Sequence, residues 1–227
     1  MRFTVLFITA LVLTACGDSA PDPTVASLPG NRSERAAAAG STPPETDNDT
    51  LAMIRADYQR IEAARRSGIL MEDSLSYRCE DYPVEGIVHF YSEGADVVLL
   101  THGYSRGDHE GTTERYYYRN GQLFFHLQES GYWEFGGAMQ TMPDGAEVPG
   151  SIDHVTEERR YYAAGKLIKA LTKSYSFDSA EDRSTKAAAA ANGPLLATGL
   201  PAGEAFLKAV RATRKADCKA VGRLIGS

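Results

Sequence analysis

Apolar positions follow sharply different patterns along this 227-residue chain. Phe3 to Leu13 is almost continuously apolar, broken only by Thr4 and Thr9. It falls well short of the about 20 residues that a permanent membrane span needs. With Arg2 ahead of it, it makes residues 1–15 read as a signal peptide. Over residues 16–46 apolar side chains are sparse and Pro, Ser, Ala, Gly and Asp dominate. Such a stretch cannot bury enough surface to offset its ordering entropy, which predicts a disordered tether. Helical spacing begins next. Leu51, Ile54, Tyr58 and Ile61 form one stripe, with Thr46, Asp47 or Thr50 as the N-cap. Arg65 and Arg66 occupy the last turn, and Gly68 follows as the C′ residue.

The middle of the chain repeats itself. "TTERYYYRNGQLFFHL" (Thr112 to Leu127) and "TEERRYYAAGKLIKAL" (Thr156 to Leu171) align without gaps at an offset of 44 residues. A fainter copy, "FYSEGADVV", places Tyr91 and Gly94 where the first copy has Tyr118 and Gly121, an offset of 27 residues. Each copy reads as strand, two-residue turn, strand. Asn120-Gly121 is the strongest turn signal, because a type I′ turn needs positive φ at both positions. Ala164-Gly165 and Glu93-Gly94 are weaker versions. Pairing Arg119 with Gln122 puts Tyr116, Tyr118, Leu123, Phe125 and Leu127 on one face by strict alternation. Tyr117, Phe124 and His126 then take the other face, as do Tyr161, Ile168 and Ala170 in the second copy. Both faces are largely apolar, so both are expected to be covered, one of them by the terminal helices.

An earlier short strand is expected in "SLSYRCE", Ser74 to Glu80. "ESGYWEFGGAMQTMPDG" reads as a long aromatic-rich loop and as the place where a ligand surface would lie. A helical turn is expected at Ala187 to Ala191. A single basic helix is expected over "GEAFLKAVRATRKADCKAVGRL", with Phe206, Val210 and Thr213 on its apolar stripe and Leu207, Cys218 and Val221 beside it. The expected fold is α+β: one domain from residue 47 to 227, an antiparallel β-meander of about six strands with an N-terminal and a C-terminal helix.

Leu13-Thr14-Ala15-Cys16 resembles the lipobox of bacterial lipoproteins. That resemblance implies a diacylglycerol thioether on Cys16, cleavage just before it and acylation, including palmitate, at the new terminus. Three acyl chains anchor firmly, since each buried methylene contributes about 0.8 kcal/mol. In that family an Asp directly after the cysteine tends to retain the protein at the inner membrane. Here Gly17 stands there, with Asp18 one later, so the resemblance points to the outer membrane, facing the periplasm. It also bears on the other cysteines. With Cys16 lipidated, Cys79 and Cys218 are left, and an envelope protein meets an oxidising compartment. A Cys79–Cys218 disulfide is expected; two buried unpaired thiols are the alternative.

The Tyr-Tyr-x-x-Gly-x-Leu signature of the hairpins resembles the repeats of MORN-like proteins and of bacterial envelope lipoproteins. That resemblance implies a scaffold or partner-binding role and no reaction.

The formal charge of −6 argues against a nucleic-acid partner, which would call for a basic face. "THGYSRGDHEG" gathers His102, Asp108, His109 and Glu110, side chains that can ligate metals. No metal-ligand spacing occurs, and adjacent strand residues point to opposite faces. No metal, cofactor or catalytic residue is therefore expected. Convergence of His102, His109 and a carboxylate on one point would reverse that reading. The chain has no G-x-S-x-G elbow, and "SGYWEFGG" lacks the Lys of a phosphate loop. Glu129 and Glu134 bracket Tyr132 and Trp133, which suits either a glycan platform or hairpin packing. The expected role is non-enzymatic binding. Partners are the membrane through the lipid and an envelope protein or peptidoglycan. An enzyme acting on envelope polymers, or a periplasmic inhibitor, are the alternatives.

Overall fold

The computed structural model describes residues 47–80 and 83–225. The elements run α1 (Asp47–Arg66), β1 (Met71–Cys79), β2 (Val84–Glu93), β3 (Asp96–Arg106), β4 (Glu110–Arg119), β5 (Gln122–Thr141), β6 (Glu147–Ala163), β7 (Lys166–Asp178), α2 (Arg183–Ala189), β8 (Gly193–Pro194), α3 (Ala202–Thr213) and α4 (Cys218–Ile225). Every strand pairs antiparallel with the next in sequence, giving an eight-stranded meander in place of the six expected. The three hairpins supply β2 to β7. The strand anticipated at Ser74 to Glu80 is the longer β1, and the two-residue β8 adds a short edge. Residues 1–46, which hold Cys16 and the expected signal peptide and tether, lie outside the described residues. No helix among the described residues is long and apolar enough to cross a membrane.

The turns form where the sequence placed them, with one shift. Asn120 and Gly121 have φ of 50° and 73°, and Ala164 and Gly165 have 47° and 75°, as a type I′ turn requires. In the faint copy Glu93 pairs with Asp96, so the turn is Gly94-Ala95, one residue later than expected. The structural offset from the first copy is therefore 26, and Tyr91 is the counterpart of Tyr117.

Each hairpin then carries a β-bulge at the same place. The register shifts between Tyr91 and Ser92, between Tyr117 and Tyr118, and between Tyr161 and Tyr162. The extra residues are Val98, Phe124 and Ile168. The bulge corrects the expected face assignment. Tyr117 pairs with Phe125, Tyr116 with His126, and Arg115 with Leu127. Phe125 and Leu127 therefore lie with Tyr117, and His126 lies with Tyr116 and Tyr118. A bulge admits two consecutive residues opposite one, so Phe124 and Phe125 can both turn inward.

Helix α1 covers the Tyr117 face. Ile54 and Ile61 are buried in a cluster with Tyr91, Leu99, Tyr117, Phe124, Phe125 and Leu127. The helix ends as expected at Gly68, φ 70°, where the Ile69 amide bonds back to the Ala64 carbonyl at 3.0 Å. The Tyr117 hydroxyl donates to the buried Glu62 carboxylate at 3.0 Å. Tyr117→Phe deletes that donor, and a loss of about 1–2 kcal/mol is expected as a lowered urea midpoint with an unchanged slope.

Helices α3 and α4 cover the opposite face. Phe206, Leu207, Val210 and Val221 pack in one buried cluster with Val88, Phe90, Leu100, Tyr116, Tyr118 and Tyr162. The single C-terminal helix expected from spacing is broken in two. Arg214 caps α3 in the left-handed region at φ 54°. Asp217 then starts α4 by accepting from the Lys219 amide at 3.0 Å. The break lets the Arg214 guanidinium sit over the Phe90 ring at 4.3 Å and reach Asp73 at 2.8 Å. Cys79, at the end of β1, and Cys218, at the start of α4, meet at disulfide distance with Cα atoms 5.5 Å apart.

The expected helical turn near Ala187 is α2, shifted earlier because Asp182 caps it through the Ser184 amide at 2.8 Å. The expected aromatic loop is the largest departure. β5 continues to Thr141 and β6 begins at Glu147, so "YWEF" lies in strand. Tyr, Trp and Phe favour a pleated surface. The glycines following them are absorbed by register shifts between Phe135 and Gly137 and between Gly137 and Met139.

Candidate functional site

Two regions of the sheet gather chemistry-bearing side chains. The first is sealed under α3. The register sets His102 opposite Glu114 across β3 and β4, and places His126 beside Tyr116 across β4 and β5. His102 and His126 are 0% exposed and Glu114 3%. Hydrogen-bond logic fixes the proton positions. An Arg guanidinium only donates. Arg160 Nη1 lies 3.2 Å from His126 Nδ1, so Nδ1 accepts and the proton sits on Nε2. Nε2 points toward Glu114 Oε1, 3.7 Å away. His102 Nδ1 donates to Glu114 Oε2 at 3.3 Å, which leaves Nε2 to accept from the Tyr77 hydroxyl at 2.7 Å. Arg160 also bonds Glu158 at 2.6 Å.

One carboxylate is thus held between two imidazoles. Burial alone would raise the Glu114 pKa, but the hydrogen bond from His102 and the His126 ring nearby outweigh it and hold the carboxyl at about 2. Burial pushes His126 down, in keeping with a neutral ring. The Phe206 ring, 5.2 Å from His102, closes the network from above. Gly203 completes the lid: a Cβ there would fall 2.2 Å from the Tyr116 hydroxyl and 2.9 Å from Glu114 Oε2.

The network reaches a shallow groove at Tyr77, which is packed over Gly86 and lines that groove with Tyr104 and Gly103. A Tyr backed by His and Glu is the arrangement of an activated hydroxyl. Here burial drives the Tyr77 pKa upward, as do the charges of Tyr104 and Glu114, and the hydroxyl stays protonated. It serves as a donor to His102, which makes the network an organiser of the core.

The second region is the distal half of β5, β6 and β7, beyond α1, α3 and α4. On one face Trp133 stacks on His109 with ring centroids 3.8 Å apart, and its indole N–H donates to the Asp108 carbonyl at 3.1 Å. Phe135, 70% exposed, lies edge-on to Trp133 at 5.1 Å. On the opposite face Tyr132 stacks on His154 at 4.5 Å. Met139, Met142 and Val148 are exposed toward the tip. Of the carboxylates bracketing the aromatics, Glu129 is tied to Arg115 at 2.8 Å and to Arg183 of α2, while Glu134 bonds His154 at 3.2 Å.

The sequence-defined cluster is dispersed by this arrangement. His102 is buried with Glu114, whereas Asp108, His109 and Glu110 are exposed around the β3–β4 turn. Among the described residues no group of three or more His, Cys, Asp or Glu side chains could hold a metal ion. Glu114 and His126 were missed as partners of His102, since strict alternation sends His126 to the wrong face. The available signal was the consecutive apolar pair after two of the three turns, Val98-Leu99 and Phe124-Phe125, which marks a bulge. Comparison of the chain with protein-family models, with curated proteins and with solved structures finds no match.

Proposed function

We propose that this chain is a lipid-anchored protein of the bacterial cell envelope with a non-enzymatic binding or scaffold role. The observation that carries the binding reading is the exposed aromatic and methionine surface on the distal part of β5 and β6. There Tyr132 on one face, Phe135 on the other, and Met139, Met142 and Val148 toward the tip remain in contact with solvent. Exposed apolar surface at the end of a sheet is where a protein or ligand partner docks when it is contiguous. The convergent acid–base groups, by contrast, are sealed in the core, which weighs against the reading of an enzyme acting on envelope polymers.

In this reading residues 1–15 are removed as a signal peptide and Cys16 carries the lipid. Residues 16–46 form a flexible tether with a root-mean-square reach of about 30 Å. The tether holds the domain at the outer membrane, on the periplasmic side, and raises its effective concentration near an envelope protein or peptidoglycan. The Cys79–Cys218 pairing agrees with an oxidising compartment.

The test is Cys16→Ser in bacterial cells, followed by fractionation and labelling with palmitate. The expected result is loss of the label and release of the protein from the membrane pellet. An unchanged label and an unchanged pellet would overturn the anchored reading. Intact-cell crosslinking through the distal hairpin would then be expected to capture an envelope component only with Cys16 in place.

A further inference from the structure

The face of the distal sheet that carries Tyr132 has an organisation that the exposed apolar tip lacks. The register aligns Thr112 with Ser130, Ser130 with Thr156, and Thr156 with Ser174, so hydroxyls form one row across β4, β5, β6 and β7. At the usual strand spacing that row is about 14 Å long. Beside it runs a second row in which Tyr132 and His154 are directly paired. The Tyr132 ring is 51% exposed, and His154 backs it with the rings 19° from parallel. His154 is itself fixed from both ends, at 2.8 Å to the Ser176 hydroxyl and 3.2 Å to Glu134. The aromatic platform is therefore preformed. Both rows line one cleft of about 540 Å³.

We propose that this cleft binds an uncharged saccharide chain, a proposal that rests on the envelope-binding reading above and names its ligand class. Three features select that class. A sugar ring presents a C–H face that stacks on an aromatic ring, and its edges both donate and accept hydrogen bonds. Ser and Thr hydroxyls match those edges because each also donates and accepts. The lining residues include no Lys or Arg, so an anionic polymer finds no countercharge. Within the cleft, residues 130–132 of β5 and 154–156 of β6 have their backbone groups paired on both sides, so a peptide cannot add as a strand between them.

The test titrates the purified full chain in detergent with chitotetraose and, separately, maltotetraose, read by calorimetry. Saturable binding of at least one oligosaccharide is expected. Tyr132→Ala should weaken it roughly three- to tenfold, the range for one aromatic stacking contact. Thr156→Val, which keeps the side-chain volume, should weaken it several-fold through the lost hydroxyl. Phe135→Ala, on the opposite face, should leave it unchanged. Absence of saturable binding by both oligosaccharides at millimolar concentration would overturn the proposal, as would equal loss in Tyr132→Ala and Phe135→Ala. Failure of the anchoring reading would show in the palmitate and fractionation assay and leave this titration untouched.

Discussion

Reduction of the Cys79–Cys218 bridge is expected to lower the unfolding free energy by about 5 kcal/mol. The bridge closes a loop with a sequence separation of 139. In the chain-entropy description a loop of that length removes about 5 kcal/mol of freedom from the unfolded ensemble. Domains of this size hold only about 5–15 kcal/mol in total, so one bond accounts for a large share. The folded state is affected as well. α4 spans only Cys218–Ile225, too short to persist as an isolated helix, and its fully buried Val221 docks against the sheet beside the bridge. Urea titrations with and without a reductant, and of the Cys79→Ala/Cys218→Ala double variant, measure the loss. Amide exchange should show α4 losing protection first and α1 last. A difference under about 1 kcal/mol between oxidised and reduced chains would show that packing of α4 suffices and that the bridge is dispensable.

The same bridge marks how far the sequence reaches. The position of α1 followed from four apolar residues at helical spacing and a glycine stop, and the turns at Asn120 and Ala164 followed from glycines that accept positive φ. These are local preferences, complete within a few residues. The bulge at Phe124 is not local. It forms because α1 offers an apolar surface to both Phe124 and Phe125, a tertiary reward that outweighs one disrupted ladder position. Strict alternation therefore assigned Phe125, Leu127 and His126 to the wrong faces. The consequence at the core was larger than the geometric error. His102, Glu114 and His126 meet only when the bulge is counted, so their convergence stayed hidden while His102, His109 and Glu110 looked like neighbours. The distal strands were misread for a related reason. Gly136 and Gly137 signal a loop, yet pairing with the segment from Ser151 to Glu147 resumes across the register shifts on either side of Gly137. The row of Thr112, Ser130, Thr156 and Ser174 likewise needs correct pairing across three interfaces before it can be seen.

Glu114→Ala is expected to cost about 3–5 kcal/mol, because it strips the acceptor from the buried His102 N–H, removes the carboxylate that faces His126 Nε2 and leaves a void under α3. Glu114→Gln keeps the volume but turns an amide N–H₂ toward one of those donors, so a smaller loss of about 1–3 kcal/mol is expected. The pH dependence separates the electrostatic part from the packing. The hydrogen bond of His102 and the proximity of His126, prevailing over burial, place the folded Glu114 pKa at about 2, against an ordinary 4.5. A depressed carboxylate contributes its stability in full above the unfolded value and loses it as pH falls toward the folded one. For Glu114 that window is pH 4.5 down to about 2, and the gap corresponds to about 3 kcal/mol. His126 works in the same direction. Burial favours its neutral ring, so its contribution is complete above the ordinary 6.5 and declines as pH falls below it. Urea midpoints measured from pH 8 to pH 2 should thus begin to fall near pH 6.5 and steepen below pH 4.5 in the native chain. In Glu114→Gln the lower limb should flatten, because no carboxylate remains there to protonate. An unaltered limb in that variant would mean that other carboxylates govern acid unfolding and that Glu114 is not held ionised by its two histidines.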